Sequence, residues 1–312
     1  AFSLEILGDP DPGAIRHAMT PGLYDRVARP DPPSVGGRIA FISNRSGDWE
    51  VYTMTPDGDE VRNLTSHQAG DHYPRWIAGG ARVSFRSQRS REDGAWDRWE
   101  VDIDGTDLTR VPIVDRVTNP DIGEFPEIHP SGEFIVNAAT RNGEQDLYVW
   151  RRDGSGERVV APGPGLDYRP LFSPDGSRVL FISERDGNAE VYTVAFDGSD
   201  LRRLTTSPGI DRYARWSPDG KRIAFVSDRD GDLEVFVMSA DGSDLRQLTH
   251  NDAPDGEISW SPDATRLAYR SDEGGNGEIH VVNVVTGEIT NLTHNDAYDG
   301  EPVWSPPTPR GS

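Results

Sequence analysis

Asp71, Asp167, Asp211, Asp255 and Asp299 each stand five residues before a large apolar residue that recurs along the chain: Trp76, Phe172, Trp216, Trp260 and Trp304. Carboxylates are hard oxygen donors. Five of them converging on one mouth would hold a hard cation, and calcium is the ion such a set would take. The unit between the first two offers Gly123 at this place, beside Glu124. A local reading competes with the metal. Turn aspartates bond the amides of their own loops, and repeated units copy structural devices along with everything else. The stretch "SDRDGDLEVF", Ser227 to Phe236, poses the same choice. Its glycine comes too early for a helix–loop–helix calcium loop, and its flanks "RIAFV" and "EVFVM" are strand-like. It reads as a hairpin turn in which Gly supplies the positive φ.

A second set lies three and one residues before the same apolar position: Tyr73 and Arg75, Phe125 and Glu127, Arg169 and Leu171, Tyr213 and Arg215, Glu257 and Ser259, Glu301 and Val303. These face away from the hydrophobic contact. Arg75, Arg169, Tyr213, Arg215, Glu257 and Glu301 are therefore the candidate ligand-binding residues. Arginines on one arc and glutamates on another suit a zwitterionic, peptidic or sugar-acid ligand, with Arg as a carboxylate fork. Salt bridges between neighbouring units are the competing account. His250, His294 and the pair His67 and His72 lie in three successive loops. Such imidazoles could hold a transition metal, but His250 and His294 share one repeat position and read equally well as consensus loop residues. His129 replaces a turn serine, and His280 lies in a strand. There is no G-x-S-x-G elbow, phosphate loop or H-E-x-x-H, so no catalytic residue is assigned. The insertion "REDGAWDRW" carries Trp96 and Trp99, which fit either a partner or sugar contact or a cover for an exposed sheet edge.

The elements that must position these residues follow from the repeat. Phe172, Trp216, Trp260 and Trp304 are each 44 residues apart, and Ile128 lies 44 before Phe172. Each unit holds four strand signals, A to D, which in one copy read "YARW", "RIAFVS", "EVFVMS" and "LRQLT". Tight-turn sequences such as "SPDG" and "ADGSD" join them. Four antiparallel strands in a unit of this length make a propeller blade. Six B–C–D sets and six A strands give an all-β, six-bladed β-propeller. The chain starts with B and ends with A, so the final "EPVWSP" should enter the first blade and close the ring. The expected boundaries are an N-terminal arm 1–36, a propeller 37–306 and a tail 307–312. In this order the D–A and B–C loops share one face, which is the acidic one.

Bulk composition narrows the function. With 53 acidic against 32 basic residues the formal charge is -21. Such a surface repels nucleic acid and anionic lipid. The chain has no cysteine, which fits a reducing cytosol or a periplasm. No apolar run is long enough to cross a bilayer. The start "AFSLEILG" lacks a basic n-region, so no intact signal peptide is expected.

The runs "WSPDGKRIAFVSDRDG" and "EVFVMSADGSDLRQLT" resemble the TolB-type propeller repeats, over about Gly37 to Pro306. The resemblance implies a six-bladed propeller, an exported periplasmic or extracellular protein and protein partners bound at the propeller. Similar repeats occur beside peptidase domains and in polysaccharide lyases. Thirty-six leading residues are too few for the N-terminal α/β domain that TolB itself carries, so a bare propeller is expected. The reading is a monomeric, non-catalytic binding module, with calcium as its candidate cofactor. It offers an acidic face and a polarised channel to a protein, peptide or small ligand. The alternative is a metal-assisted lyase or hydrolase acting on an acidic carbohydrate at the channel mouth.

Overall fold

The structure, a computed structural model, describes residues 37–90, 96–111, 127–141 and 143–306. The arm 1–36, the tail 307–312, and Gly123, Glu124 and Phe125 lie outside the described residues. Six antiparallel sheets of four strands each form the molecule, as expected. Blade one is Asp299–Trp304, Ile39–Ser43, Glu50–Met54 and Arg62–Asn63. Its inner strand comes from the C-terminal end of the fold. Ile39 pairs with Trp304 and Ser43 with Asp299. Ser305 N donates to Arg38 O at 2.8 Å beyond the last pair. Blades two to six follow in chain order, with inner strands Asp71–Ile77, Glu127–Ile128, Asp167–Phe172, Asp211–Trp216 and Asp255–Trp260.

The B and C strands have no polar/apolar alternation because both of their faces are covered. Ile39–Ser43 and Glu50–Met54 are buried throughout. The core lies between blades rather than within them. Ala224, Val226, Val235 and Val237 of blade five pack on Leu267, Tyr269 and Val282 of blade six. Ile39, Phe41 and Met54 of blade one pack on Ala268, Ile279 and Val281 of blade six. Each such side chain contributes about 1.5–3 kcal/mol when fully buried, but only when its neighbouring blade is present.

The "SPDG" turns set the A–B link. Asp175, Asp219 and Asp263 each accept a bond from the serine two residues earlier, at 2.6 Å. The next residue is left-handed. It is Gly176 at φ +74° and Gly220 at φ +69°, but Ala264 at φ +58° in blade six. A Cβ in that region costs about 1–2 kcal/mol.

The inner strands depart from a regular ladder. Their pairing with strand B shifts between His72 and Arg75, Tyr168 and Leu171, Arg212 and Arg215, and Gly256 and Ser259. In blade one the same shift falls opposite Gly300 and Val303. A bulge of this kind bends a strand and re-aims a side chain. Here it re-aims the channel-facing position of five blades.

Candidate functional site

Two repeated sets of polar residues occupy the inner strands, and they behave differently. The first is the aspartate that opens each strand. Asp71, Asp211, Asp255 and Asp299 are completely buried and Asp167 almost so. The structure does not gather them at the mouth. Each belongs to a separate lock between consecutive blades. In the lock of blade five, Arg229 donates from Nη2 to both oxygens of Asp211, at 3.0 and 2.9 Å, and from Nε to Ser227 Oγ at 2.9 Å. Its guanidinium covers the rings of Phe225 and Phe236. The preceding blade adds Glu190, whose Oε2 accepts Thr205 Oγ1 and whose Oε1 accepts Ser207 N at 2.8 Å. Arg45 with Asp299, Arg89 with Asp71 and Arg185 with Asp167 repeat the ion pair. A charge held between blades and matched by its own arginine serves the ring rather than a ligand. Among the described residues no three His, Asp or Glu come together as metal donors.

Sequence reasoning missed the arginine and the buried glutamate of these locks. The signal was present. "SxR" precedes each B–C turn in four of the units, and Glu50, Glu190, Glu234 and Glu278 open their C strands, the last three 44 apart. Burial governs the acids. It pushes Asp167 up to about 6 against its bonds to Ser183 and Arg185. Burial likewise raises Glu50 to about 7 and Glu234 to about 8, each facing the aspartate of the next blade.

The second set faces the channel. Tyr73, Arg169, Tyr213, Glu257 and Glu301 occupy one position in five blades, and all five have positive φ, between 51° and 57°. The residue varies among Tyr, Arg and Glu while the strained backbone does not. Backbone in this region costs on the order of 1–3 kcal/mol at a non-glycine residue, and such strain gathers at functional sites. Glu257 Oε2 accepts Glu301 N at 2.6 Å, and Glu301 Oε2 accepts Tyr73 N. Across the channel the Arg169 guanidinium lies 4.7 Å from the centre of the Tyr213 ring.

One layer deeper, toward the A–B turns, Arg75 and Arg215 face Glu127. Burial lowers Arg75 and raises Glu127, while their mutual attraction opposes both shifts. Burial, followed by repulsion from Arg169 and Arg75, brings Arg215 down to about 10. Two guanidiniums thus face one carboxylate. A cavity of about 310 Å³, lined by Glu127, Leu171, Arg215, Trp216 and Pro174, opens at this end.

The family of the TolB beta propeller domain matches residues 117–217 and 206–310, more than half of the chain. The chain belongs to the TolB β-propeller family. A TolB homolog from Chlorobium luteolum is 29% identical over 141 residues, 44% of this chain and 29% of that protein. The Tol-Pal system protein TolB of Anaeromyxobacter dehalogenans is 29% identical over 162 residues, 52% of this chain and 35% of that protein. The chain therefore spans about a third of the length of these curated relatives. The crystal structure of TolB from Acinetobacter baumannii superposes with a TM-score of 0.66 at 22% identity, covering 88% of this chain and 68% of that one.

On this TolB-type ring the remaining candidates separate. His67, His250 and His294 are exposed loop residues, and His67 Nδ1 accepts the Ala69 amide in its own turn. His72 instead joins an aromatic group. It lies 5.4 Å from Trp49 and 5.5 Å from Trp96, and Trp49 lies 5.2 Å from Tyr298. Trp99 belongs to the lock of blade two, beneath Arg89. The two tryptophans of the insertion thus part company, with Trp96 at the mouth and Trp99 in the frame. No helix among the described residues is long and apolar enough to cross a membrane.

Proposed function

We propose that this propeller is a binding module that takes a peptide segment of a partner protein into its channel from the D–A mouth. The observation that carries the reading is the row of bulged positions. Five blades keep the same costly backbone at the channel wall and place three kinds of side chain on it, Tyr, Arg and Glu. A purely structural device would repeat its residue along with its geometry. Arg169, Arg215 and Arg75 form a cationic arc that would accept a carboxylate, from an acidic side chain or a chain end. Glu257 and Glu301, across the channel, would face an amine or backbone amides. Trp49, His72, Trp96 and Tyr298 give the mouth an aromatic rim, of the kind that anchors partners at little entropic cost. A periplasmic or extracellular setting agrees with the TolB relatives. Calcium has no part in this reading, since four of the five strand-opening aspartates already hold an arginine.

The metal-assisted lyase or hydrolase would need a metal cluster or a strong base beside its substrate. The histidines that suggested one stand apart, so binding is the reading we carry forward. The test is a phage-displayed peptide library selected on the wild-type protein. Selected peptides should lose at least about tenfold in affinity on Arg215→Gln, as expected when one charged hydrogen-bonding partner is removed. They should bind Val285→Ser, on an exposed turn of the other face, unchanged. Peptides that bind all three proteins alike, or a library that yields no binder, would overturn the channel reading.

A further inference from the structure

The inter-blade locks are built to one plan, and one of them breaks it. Four use an arginine two residues after the serine that ends strand B: Arg45, Arg89, Arg185 and Arg229. Each donates Nε to that serine at 2.8–3.0 Å and Nη2 to the buried aspartate. Each lies over an aromatic pair contributed by strands B and C, such as Phe225 and Phe236. In blade six the residue at this place is Glu273, in "SDEGG". The rest of the frame is retained. Ser271 and Asp255 are completely buried and paired across the strands. Tyr269 and His280 stand where Phe225 and Phe236 stand in blade five, with ring centres 5.6 Å apart but planes at 67° where those of Phe225 and Phe236 meet at 20°.

Among the described residues this frame has polar atoms without a hydrogen-bond partner: Asp255 Oδ1 and both ring nitrogens of His280, all buried. Asn251 Nδ2 donates to Asp255 Oδ2 at 3.1 Å, and Glu234 lies against Thr249 and Asp255. Asp71 and Asp167 share the orphan Oδ1 even beside their arginines, so the unpartnered imidazole is what sets this lock apart. Glu50, Glu190 and Glu278, the counterparts of Glu234, each bond a threonine hydroxyl through Oε2. Arg270, close by in sequence, turns to Glu257, Asp272 and Tyr298. Glu273 is exposed at the entrance. The result is an aromatic pair, a serine acceptor, a buried carboxylate and further acids at the rim. Those are the features that a guanidinium meets in the four sibling locks.

We propose that the blade-six lock is a binding site for an external guanidinium group, supplied by an arginine side chain of a partner or by a free guanidine compound. The guanidinium would take the place that Arg229 takes in blade five, with Asp255 as its fork partner, Ser271 as acceptor and Tyr269 and His280 beneath it. A guanidinium is favoured over an ammonium because the sibling locks hold one, with its Nε on the serine and its Nη2 on the carboxylate. The site lies on the outer part of the D–A/B–C face, between blades five and six, and does not depend on what the channel binds.

The probe is agmatine, with cadaverine as the ammonium control, read by thermal unfolding. A ligand that binds only the folded state raises the melting temperature, and at ten times its Kd the rise for a domain of this size is about 2–4 °C. Agmatine should produce that rise in the wild type and cadaverine a smaller one. Glu273→Arg should fill the lock from within, raise the melting temperature without ligand and abolish the agmatine response. Glu273→Gln, which keeps the frame but adds no cation, should retain the response. Arg215→Gln should retain it as well, which separates this site from the channel. An absent response in the wild type, an equal response to cadaverine, or a response that survives Glu273→Arg would each overturn the proposal.

Discussion

The strand-opening aspartates and the bulged residues two positions later lie on the same inner strands, yet they differ in what they hold constant. At the first place the residue is Asp in five blades, fully buried and held by the same serine and, in four of them, by arginine. At the second the residues are Tyr, Arg, Tyr, Glu and Glu on one shared left-handed backbone. A position that repeats both its residue and its partners is framework. A position that repeats a costly backbone while varying its residue is where the proposed binding would take place. The distinction comes from where the counter-charge lies. The aspartates find theirs in the adjoining turn, whereas the channel residues meet one another and side chains of the neighbouring strand, as Glu257 meets Arg270 and Tyr73 meets Arg86.

The largest expected effect tests the framework side. Arg229→Ala leaves Asp211 buried and unmatched, and should cost about 3–5 kcal/mol, measured as a lower urea midpoint. Arg169→Gln, in the channel, should cost less than about 1 kcal/mol. Equal losses would erase the comparison.

A smaller effect sharpens the backbone side. At Arg169, with φ at +54°, the glycine variant should be more stable than the alanine variant by about 1 kcal/mol, because only glycine occupies that region without strain. At Leu171, in the same strand and outside the bulge, the order should reverse. Matching urea denaturation curves for the four variants would decide it.

A separate test of the framework is a pH dependence. Glu50 near 7 and Glu234 near 8 hold protons in the native state that the unfolded chain releases above its ordinary value of 4.5. Their contribution to stability is complete below pH 4.5 and is lost as pH rises through 7 and 8. The slope is at most about 1.4 kcal/mol per pH unit for each proton. The urea midpoint should therefore fall between pH 5 and pH 9, and Glu234→Gln should flatten the fall. A midpoint that rises across this window in the wild type would contradict the assigned protons.

Much of this was legible in the residues themselves. The 44-residue spacing of Phe172, Trp216, Trp260 and Trp304 gave the blade count, and the final "EPVWSP" gave the closure. The channel-facing identity of Arg75, Arg169, Arg215, Glu257 and Glu301 was also readable, because inner-strand residues alternate about a core aromatic. The fate of the aspartates was not. "D" before "YARW" looks the same whether its oxygens point to a cation or to Arg229. That arginine is 18 residues away in sequence, and its turn must fold back before the two meet. Nor did the sequence show the bulge, since Tyr213 and Glu257 carry no mark of a positive φ.

The sequence by itself determined the all-β class, the number of blades and the order of strands, because those depend on local period and on turn chemistry that each repeat carries whole. Only the tertiary structure decided which acids were spent on the frame and which were left to the channel. That choice rests on burial and counter-charge, and both are supplied by the neighbouring blade.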